Sequence, residues 1–152
     1  MSAGAGSVRT IRLLVVEDSP GYLYLIRSAF QGHRGDFSWE IDVAINGEEA
    51  LQVLFDEENN GRALPDIILL DWNLPRISGN EVLRRIKEHK NLRRIPVLVF
   101  STSDAEQDIH DAYDGHANGY ITKPASGKMM EAIVEAIAQF WAVIAQLPKV
   151  MR

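Results

Sequence analysis

Polar side chains that could carry out chemistry directly follow four apolar segments of the chain. They comprise three carboxylates, a hydroxyl and an ammonium group, which in chain order are Glu17, Asp18, Asp71, Ser101 and Lys123. Taken alone, each has an ordinary structural explanation, because acidic residues favour helix N-termini and hydroxyls often cap helices. Their recurrence at the same point after four different segments indicates a shared site.

The chemistry of such a site follows from its charge. Three carboxylates close together repel by roughly 4 kcal/mol per pair at an effective dielectric near 20. Raised pKa values or a bound cation would relieve this repulsion. Oxygen ligands without histidine or cysteine favour Mg²⁺, or Mn²⁺, and Mg²⁺ often acts together with a phosphate group. A carboxylate can also attack phosphorus, so Asp71 is a candidate nucleophile, with Lys123 and Ser101 as candidate partners of the phosphoryl oxygens.

An alternation of apolar segments and helical patterns positions these residues. The apolar segments are 11–16, 39–44, 66–70, 96–100 and 118–122, and helices are predicted at about 19–31, 47–57, 79–89, 104–114 and 126–145. Repeated βα units of this kind indicate a parallel sheet. We predict an α/β fold with a doubly wound, five-stranded parallel sheet in the order 2-1-3-4-5 and five helices, a flavodoxin-like or CheY-like three-layer sandwich. In such sheets ligands bind at the carboxyl ends of the strands, where the candidate residues lie.

Four of the helix starts carry recognisable N-terminal signals. Ser19 precedes a proline, and Asn46, Ser78 and Ser103 each have a glutamate three residues later, as in a capping box. These residues are predicted to be the N-caps of the first four helices. The predicted N-cap at Ser103 sets the start of the fourth helix at residue 104.

Length and composition indicate one globular domain. The chain has 152 residues, of which 46% are hydrophobic and 24% charged. The absence of cysteine excludes disulfides and thiolate chemistry, and the net charge of -5 argues against binding to nucleic acid or to an anionic membrane. No segment resembles a membrane helix or a secretory signal, so we expect a cytoplasmic protein. We predict a disordered tail at 1–9, one domain at 10–147 and a short tail at 148–152.

Four motifs around the candidate residues resemble the receiver domains of two-component response regulators. They are Leu-Leu-Val-Val-Glu-Asp-Ser (13–19), Leu-Leu-Asp-Trp-Asn-Leu-Pro-Arg-Ile-Ser-Gly (69–79), Ile-Pro-Val-Leu-Val-Phe-Ser (95–101) and Gly-Tyr-Ile-Thr-Lys-Pro (119–124). The resemblance covers nearly the whole chain, from about Arg9 to Trp141. It implies a signalling protein that takes a phosphoryl group from a sensor histidine kinase, rather than an enzyme with a separate substrate.

The resemblance implies a role for each residue around the metal. Asp71 would be the phosphoacceptor and a metal ligand. Asp18 would bind Mg²⁺ directly, Glu17 would bind it through water, and Asn73 would supply its backbone carbonyl. The acidic pair is Glu-Asp, whereas many receivers have Asp-Asp, and the longer side chain leaves the affinity for Mg²⁺ open.

The resemblance also implies a switch. Lys123 would pair with the phosphoryl group, and its bond to Pro124 is often cis in this family. Ser101 would be the switch hydroxyl, and Tyr120 would be the aromatic residue that turns inward when Ser101 moves to the phosphoryl group. Ser78 stands where many receivers have an acidic or amide residue, and we interpret it as a helix cap.

Three further stretches are similar to the single-domain response regulators that pair with bacterial and cyanobacterial phytochromes. They are Asn91-Leu-Arg-Arg-Ile-Pro, Ser101-Thr102-Ser103 and the ending Gln139-Phe140-Trp141 with Leu147-Pro148. This resemblance implies that the phosphodonor is a light-controlled histidine kinase. With 152 residues we expect no separate output domain, so the signal would pass to a downstream protein through the surface of this domain.

The last predicted helix has two apolar stripes. The first is predicted to face the core and consists of Met130, Ile133, Ile137, Trp141 and Ile144. The second consists of Phe140, Val143 and Leu147, and a helix with one buried face would not need it. We predict that this second stripe is a dimer or partner seam, most simply in a homodimer.

Three alternative functions share parts of this pattern. A flavodoxin would bind phosphate after the first strand, where Glu17 and Asp18 would repel it. A haloacid-dehalogenase-like phosphohydrolase would need a second acid two residues after Asp71, where this chain has Asn73. A receiver-like scaffold that dimerises or docks without phosphorylation remains the main alternative.

Overall fold

The architecture is described from a computed structural model that covers residues 9–33, 35 and 37–148. Five strands and five helices alternate along the chain: β1 (Arg9–Val16), α1 (Pro20–Gly32), β2 (Phe37–Ala44), α2 (Gly47–Asn59), β3 (Ile67–Asp71), α3 (Gly79–Glu88), β4 (Val97–Ser101), α4 (Glu106–Asp114), β5 (Gly119–Thr122) and α5 (Gly127–Ile137). Helix α5 continues as a π-helical segment, Ala138–Ile144. The predicted tails lie outside the described residues, except for Arg9, which begins β1, and Pro148.

The sheet has the predicted topology. Its order is β2-β1-β3-β4-β5 and every pair of neighbouring strands is parallel. Strands β3 and β4 are buried along their whole length, which explains why their sequences are almost continuously apolar. Because all five strands point the same way, their carboxyl ends form one edge of the sheet.

Two hydrophobic cores cover the two faces of the sheet. On one face, residues of β1 such as Leu14 and Val16 pack with side chains of α2, α3 and α4. On the other face, Leu13 and Val15 pack with side chains of α1 and α5. The alternation follows from the two-residue period of a strand. Full burial of each such side chain stabilises the fold by about 1.5–3 kcal/mol, so both helical layers are firmly attached.

Three of the four predicted helix caps are confirmed, and one is wrong. The side chains of Ser19, Asn46 and Ser78 accept hydrogen bonds from the backbone of the first turns of α1, α2 and α3. Helix α4, however, begins at Glu106 after Ala105, not at 104. The hydroxyl of Ser103 instead donates to Asp108 Oδ2 at 2.6 Å and accepts from the backbone N–H of Ala105. This competing side-chain contact moves the helix start.

In the last helix, the two apolar stripes differ from the prediction at Ile144 and Leu147. Met130 and Ile137 are buried as expected, but Ile144 is 63% exposed, whereas Leu147 is half-buried against the core. The π-helical segment adds about one residue to each turn, so the buried face rotates after Ile137. Within this segment Ala138 and Ala142 face the core. Phe140, Val143 and Ile144 form the exposed apolar surface, here called the final-helix patch.

Among the described residues, none of the helices combines the length and the apolar character that crossing a bilayer would require.

Candidate functional site

The carboxyl edge of the sheet brings the predicted chemical residues together. Glu17 and Asp18 follow β1, Asp71 ends β3, Ser101 ends β4, and Lys123 follows β5. One oxygen from each of the three carboxylates can be chosen so that all three lie within 4.8 Å of one another. The three carboxylates therefore lie close together, as expected for residues at the carboxyl ends of parallel strands.

Local backbone contacts orient two of the three carboxylates. Glu17 Oε2 accepts a hydrogen bond from the backbone N–H of Ser19 at 3.0 Å, at the start of α1. Asp71 Oδ1 accepts one from the backbone N–H of Asn73 at 3.3 Å. Glu17 and Asp71 are buried, whereas Asp18 and Asn73 are exposed. The site, here called the cup, therefore combines the buried carboxylates of Glu17 and Asp71 with an exposed edge at Asp18 and Asn73.

Close packing beside Asp71 fixes the end of β3. A Cβ added to Gly79 would lie 2.5 Å from the carbonyl oxygen of Asp71 and 2.7 Å from Cα of Trp72. Only glycine fits against this backbone without a shift. The N-terminus of α3 thus lies directly against the residue that carries the candidate nucleophile.

Lys123 lies between the two buried carboxylates. Its Nζ is 2.6 Å from Glu17 Oε1 and 3.3 Å from Asp71 Oδ1, and its side chain is 5% exposed. Nζ also lies 4.4 Å from the centre of the Tyr22 ring. The backbone N–H of Lys123 donates to the carbonyl of Ser101 at 2.7 Å, which ties the lysine to β4.

The Lys123–Pro124 bond is trans, so the cis form common in the family is not adopted here. Trans is the lower-energy isomer.

The electrostatics of the cup favour a cation. Burial raises the pKa of Glu17 above its ordinary value, and the negative charge of Asp71 acts in the same direction. Lys123 and the Ser19 N–H oppose these effects. Among the described residues, Lys123 pairs with two of the three carboxylates, so negative charge remains in excess, and all the candidate ligands are oxygens. The donor set therefore fits Mg²⁺ or Mn²⁺, which prefer carboxylate and carbonyl oxygens.

The two predicted switch residues converge on Ser103. The buried Ser101 Oγ accepts a hydrogen bond from the backbone N–H of Ser103 at 3.1 Å. The hydroxyl of the half-buried Tyr120 donates to the carbonyl of the same residue at 2.8 Å. The sequence identified Ser101 and Tyr120 but gave no sign that the β4–α4 loop joins them.

The predicted seam is separate from this site. Phe140 is 50% and Val143 is 58% exposed, and both lie beyond the end of α5, whereas Leu147 packs towards the core. The sequence prediction therefore missed Ile144 as part of the exposed surface. It also missed Tyr22 beside Lys123, since nothing in the local pattern of α1 marks a contact with the residue after β5.

The fold and the site together define a class of protein: a doubly wound α/β domain with an acidic cluster and a lysine at the carboxyl edge of its sheet. Within this class, the chain belongs to the response regulator receiver domain family, whose sequence profile matches residues 13–135.

Several relatives of this chain bear names that describe regulators. The chain is 40% identical over 129 residues to the probable methanogenesis regulatory protein FilR2 of Methanothrix harundinacea, covering 85% of this chain and 82% of FilR2. It is 37% identical over 139 residues to the response regulator Rcp1 of Synechocystis, covering 90% of this chain and 92% of Rcp1.

Solved structures with the same fold include two response regulators. The phosphorylated cyanobacterial phytochrome response regulator RcpA superposes with a TM-score of 0.83 at 40% identity, covering 92% of this chain and 99% of RcpA. The Mn²⁺-bound form of Rcp1 superposes with a TM-score of 0.80 at 33% identity, covering 91% of this chain and 99% of Rcp1.

Proposed function

We propose that this chain is a cytoplasmic response regulator that accepts a phosphoryl group from a sensor histidine kinase onto Asp71 in a Mg²⁺-dependent reaction. Membership of a family of phosphoacceptor signalling domains supports the proposal. The single observation that carries it is the acidic cluster of Glu17, Asp18 and Asp71, with Lys123 Nζ 3.3 Å from Asp71 Oδ1.

The proposed reaction is a transfer between two protein side chains. A carboxylate oxygen of Asp71 attacks the phosphorus of the kinase phosphohistidine and forms a P–O bond. The P–N bond to the kinase imidazole breaks, and the leaving nitrogen takes up a proton from solvent. The product is an acyl phosphate on Asp71. Lys123, already beside Asp71, donates hydrogen bonds to the new phosphoryl oxygens.

The metal would be held by side chains of Glu17, Asp18 and Asp71, with the backbone carbonyl of Asn73 as a further oxygen ligand. A bound Mg²⁺, or Mn²⁺, would offset the negative charge of these carboxylates and of the incoming phosphoryl oxygens. Family membership supports divalent metal binding, and Mn²⁺ is bound in the structural relative Rcp1. Asp18 is exposed, so the proposed metal site is open to solvent on that side.

The acyl phosphate should persist rather than turn over rapidly. Asn73 stands two residues after Asp71, where a phosphohydrolase of the haloacid dehalogenase type has a second acid. An amide cannot take a proton from an attacking water. Hydrolysis would therefore have to proceed without a general base at this position.

The switch would act through the β4–α4 loop. Ser101 Oγ would leave the Ser103 N–H and donate to a phosphoryl oxygen, which frees the loop to move. Tyr120 would then exchange its bond to the Ser103 carbonyl for an inward position. Phosphorylation would in this way shift the population between two surface conformations of α4 and β5.

We propose a phytochrome-type histidine kinase as the donor. Support comes from the similarity to RcpA and Rcp1 over nearly the full lengths of both chains. The similarity to FilR2, whose name assigns it to methanogenesis, is just as close. The test compares two phosphorylated kinases, one from a phytochrome and one with no light sensor. Transfer from the phytochrome kinase within seconds is expected, and preference for the other kinase would contradict the proposal.

The phosphorylated domain would signal through contact with a downstream protein, and it would form a homodimer through the final-helix patch. The patch supports dimerisation because three large apolar side chains are at least half exposed. No observation on the described residues favours a scaffold that works without phosphorylation.

The deciding experiment is mass spectrometry of the purified protein after incubation with acetyl phosphate and Mg²⁺. One added phosphoryl group is expected, and it should be absent from Asp71→Asn and from a sample treated with EDTA. Asp56→Asn removes an exposed carboxylate from α2 and should behave as wild type. Phosphorylation that persists in Asp71→Asn would refute the assignment of the acceptor.

A further inference from the structure

Tyr22 is in direct contact with the functional lysine although it lies on a different element. Its ring centre is 4.4 Å from Lys123 Nζ, within the distance at which an ammonium is attracted to an aromatic face. Tyr22 is half-buried and packs against the core between the sheet and helices α1 and α5. The ring is therefore held in place by packing, unlike a side chain that moves freely in solvent.

The N-terminus of α1 fixes Tyr22 and Glu17 together. Ser19 donates its backbone N–H to Glu17 Oε2 at 3.0 Å and accepts a hydrogen bond from the backbone N–H of Tyr22 at 3.4 Å through its hydroxyl. Pro20 restricts the first helical residue and strengthens this start. One helix cap thus sets the positions of two of the groups that contact Lys123.

Three groups surround the ammonium group of Lys123. The carboxylates of Glu17 and Asp71 lie 2.6 and 3.3 Å away, and the aromatic face of Tyr22 is the third neighbour. With its side chain only 5% exposed, Lys123 has little contact with water. Partial desolvation strengthens the attraction between a cation and an aromatic ring.

We infer that Tyr22 is a positioning residue that holds the Lys123 ammonium in place for phosphoryl transfer to Asp71. This inference rests on the proposed function. The ring provides a contact that does not have to be given up when Lys123 turns from the carboxylates to a phosphoryl oxygen. A contact that persists through this change keeps the ammonium directed at the site, and the ring also limits the access of water to it.

The aromatic face, not the hydroxyl, carries this role, which makes the variants specific. Tyr22→Phe keeps the ring and removes the hydroxyl, so the rate of phosphorylation by acetyl phosphate with Mg²⁺ should stay within about twofold of wild type. Tyr22→Leu keeps an apolar side chain and removes the ring, so the rate should fall about three- to tenfold, as expected for loss of a cation–π contact. Tyr24→Leu, on the same helix and 71% exposed, is the matched control and should not change the rate.

A second measurement reports on the contact without any phosphorylation. The aromatic ring current should displace the NMR resonances of the Lys123 CH₂ group next to Nζ, which are identified by their absence in Lys123→Met. The displacement should remain in Tyr22→Phe and Tyr24→Leu and disappear in Tyr22→Leu. Thermal unfolding of each variant shows whether it is folded. If Tyr22→Leu has a folding defect, the test is made with Tyr22→Phe, wild type and the Lys123 resonance.

The outcomes separate this inference from the proposed function. A wild type that takes up no phosphoryl group refutes the proposed function, and the Lys123 resonance then decides by itself whether Tyr22 holds the ammonium. If wild type is phosphorylated and folded Tyr22→Leu reacts equally fast, Tyr22 is not a positioning residue. A slow Tyr22→Phe would also overturn the inference, because the hydroxyl would then be the important group.

Discussion

The ammonium of Lys123 lies 2.6 Å from Oε1 of Glu17, so the lysine is paired with a carboxylate that a metal ion would also require. Lys123 and a divalent cation therefore compete for the same negative charge. The pair also explains how a nearly buried acid is tolerated, since an unpaired charge in such a position would cost several kcal/mol.

Replacement of Lys123 by methionine should strengthen Mg²⁺ binding while it slows phosphorylation. Two unit charges 4 Å apart interact by about 4 kcal/mol at an effective dielectric of 20. Because a flexible lysine can turn away from the metal, we expect only a fraction of this, about a three- to tenfold tighter Kd. Calorimetric titration with Mg²⁺ measures it. Lys128→Met, at an exposed position of α5, is the control, and weaker binding by Lys123→Met would contradict the competition.

Replacement of Tyr120 by phenylalanine should loosen the β4–α4 loop without preventing phosphorylation. The variant loses the 2.8 Å hydrogen bond from the Tyr120 hydroxyl to the Ser103 carbonyl. A bond of this kind contributes about 0.5–1.5 kcal/mol, so unfolding free energy should fall by about 1 kcal/mol and amide exchange in the loop should accelerate. Urea unfolding and hydrogen exchange measure the two effects.

The control for this loop experiment is Tyr113→Phe, which removes a hydroxyl from a 51% exposed tyrosine of α4. It should leave both quantities unchanged. Equal rates of amide hydrogen exchange in the β4–α4 loop of Tyr120→Phe and wild type would show that the hydrogen bond from Tyr120 does not hold this loop in place.

Lys87 should give the protein a stability that increases at alkaline pH. Its Nζ donates to the carbonyls of Arg93 and Ile95 and to Asn118 Oδ1. Burial lowers the pKa of Lys87 to about 8 from its ordinary value of 10.5. Between these two values the unfolded chain binds more protons than the folded one, so unfolding free energy should rise with pH over this range.

The measurement for Lys87 is urea unfolding of wild type and Lys87→Met from pH 7 to pH 10. The wild type should gain stability relative to the variant as pH rises past 8. Lys90→Met removes a neighbouring exposed lysine and supplies the baseline. If the unfolding free energy of wild type falls relative to that of Lys87→Met as pH rises, the expected pH dependence is contradicted.

The sequence predicted most of the fold and the cup because both depend on short-range patterns. Continuous apolar segments identified the strands, and parallel strands necessarily bring their carboxyl ends to one edge. This rule alone placed Asp71 near Glu17, Asp18 and Lys123.

The sequence could not predict features that depend on competition between side chains or on helix type. Ser103 has capping-box spacing, but its hydroxyl bonds to Asp108 and α4 starts later. The π-helical turns after Ile137 break the 3.6-residue period, which exposes Ile144. The helix ends at Ile144, and Leu147 packs towards the core from the non-helical segment that follows. The contact between Tyr22 and Lys123 joins distant parts of the chain and leaves no local pattern.

The final-helix patch should hold two copies of the chain together, and Phe140→Glu should separate them. Phe140, Val143 and Ile144 are 50%, 58% and 63% exposed, so a charge at Phe140 is harmless in a monomer. At a dimer interface the same carboxylate would lose its water at a cost of several kcal/mol. The dissociation constant should therefore rise about 100-fold or more.

Light scattering measures the mass, and thermal unfolding checks that the variant is folded. Ala132→Glu adds the same charge to an exposed position of α5 and should remain dimeric. Leu147→Glu should instead lower the unfolding temperature, because Leu147 packs against the core. A wild type that is monomeric, or a Phe140→Glu variant that keeps the dimer mass, would show that the patch does not join two copies and has another role.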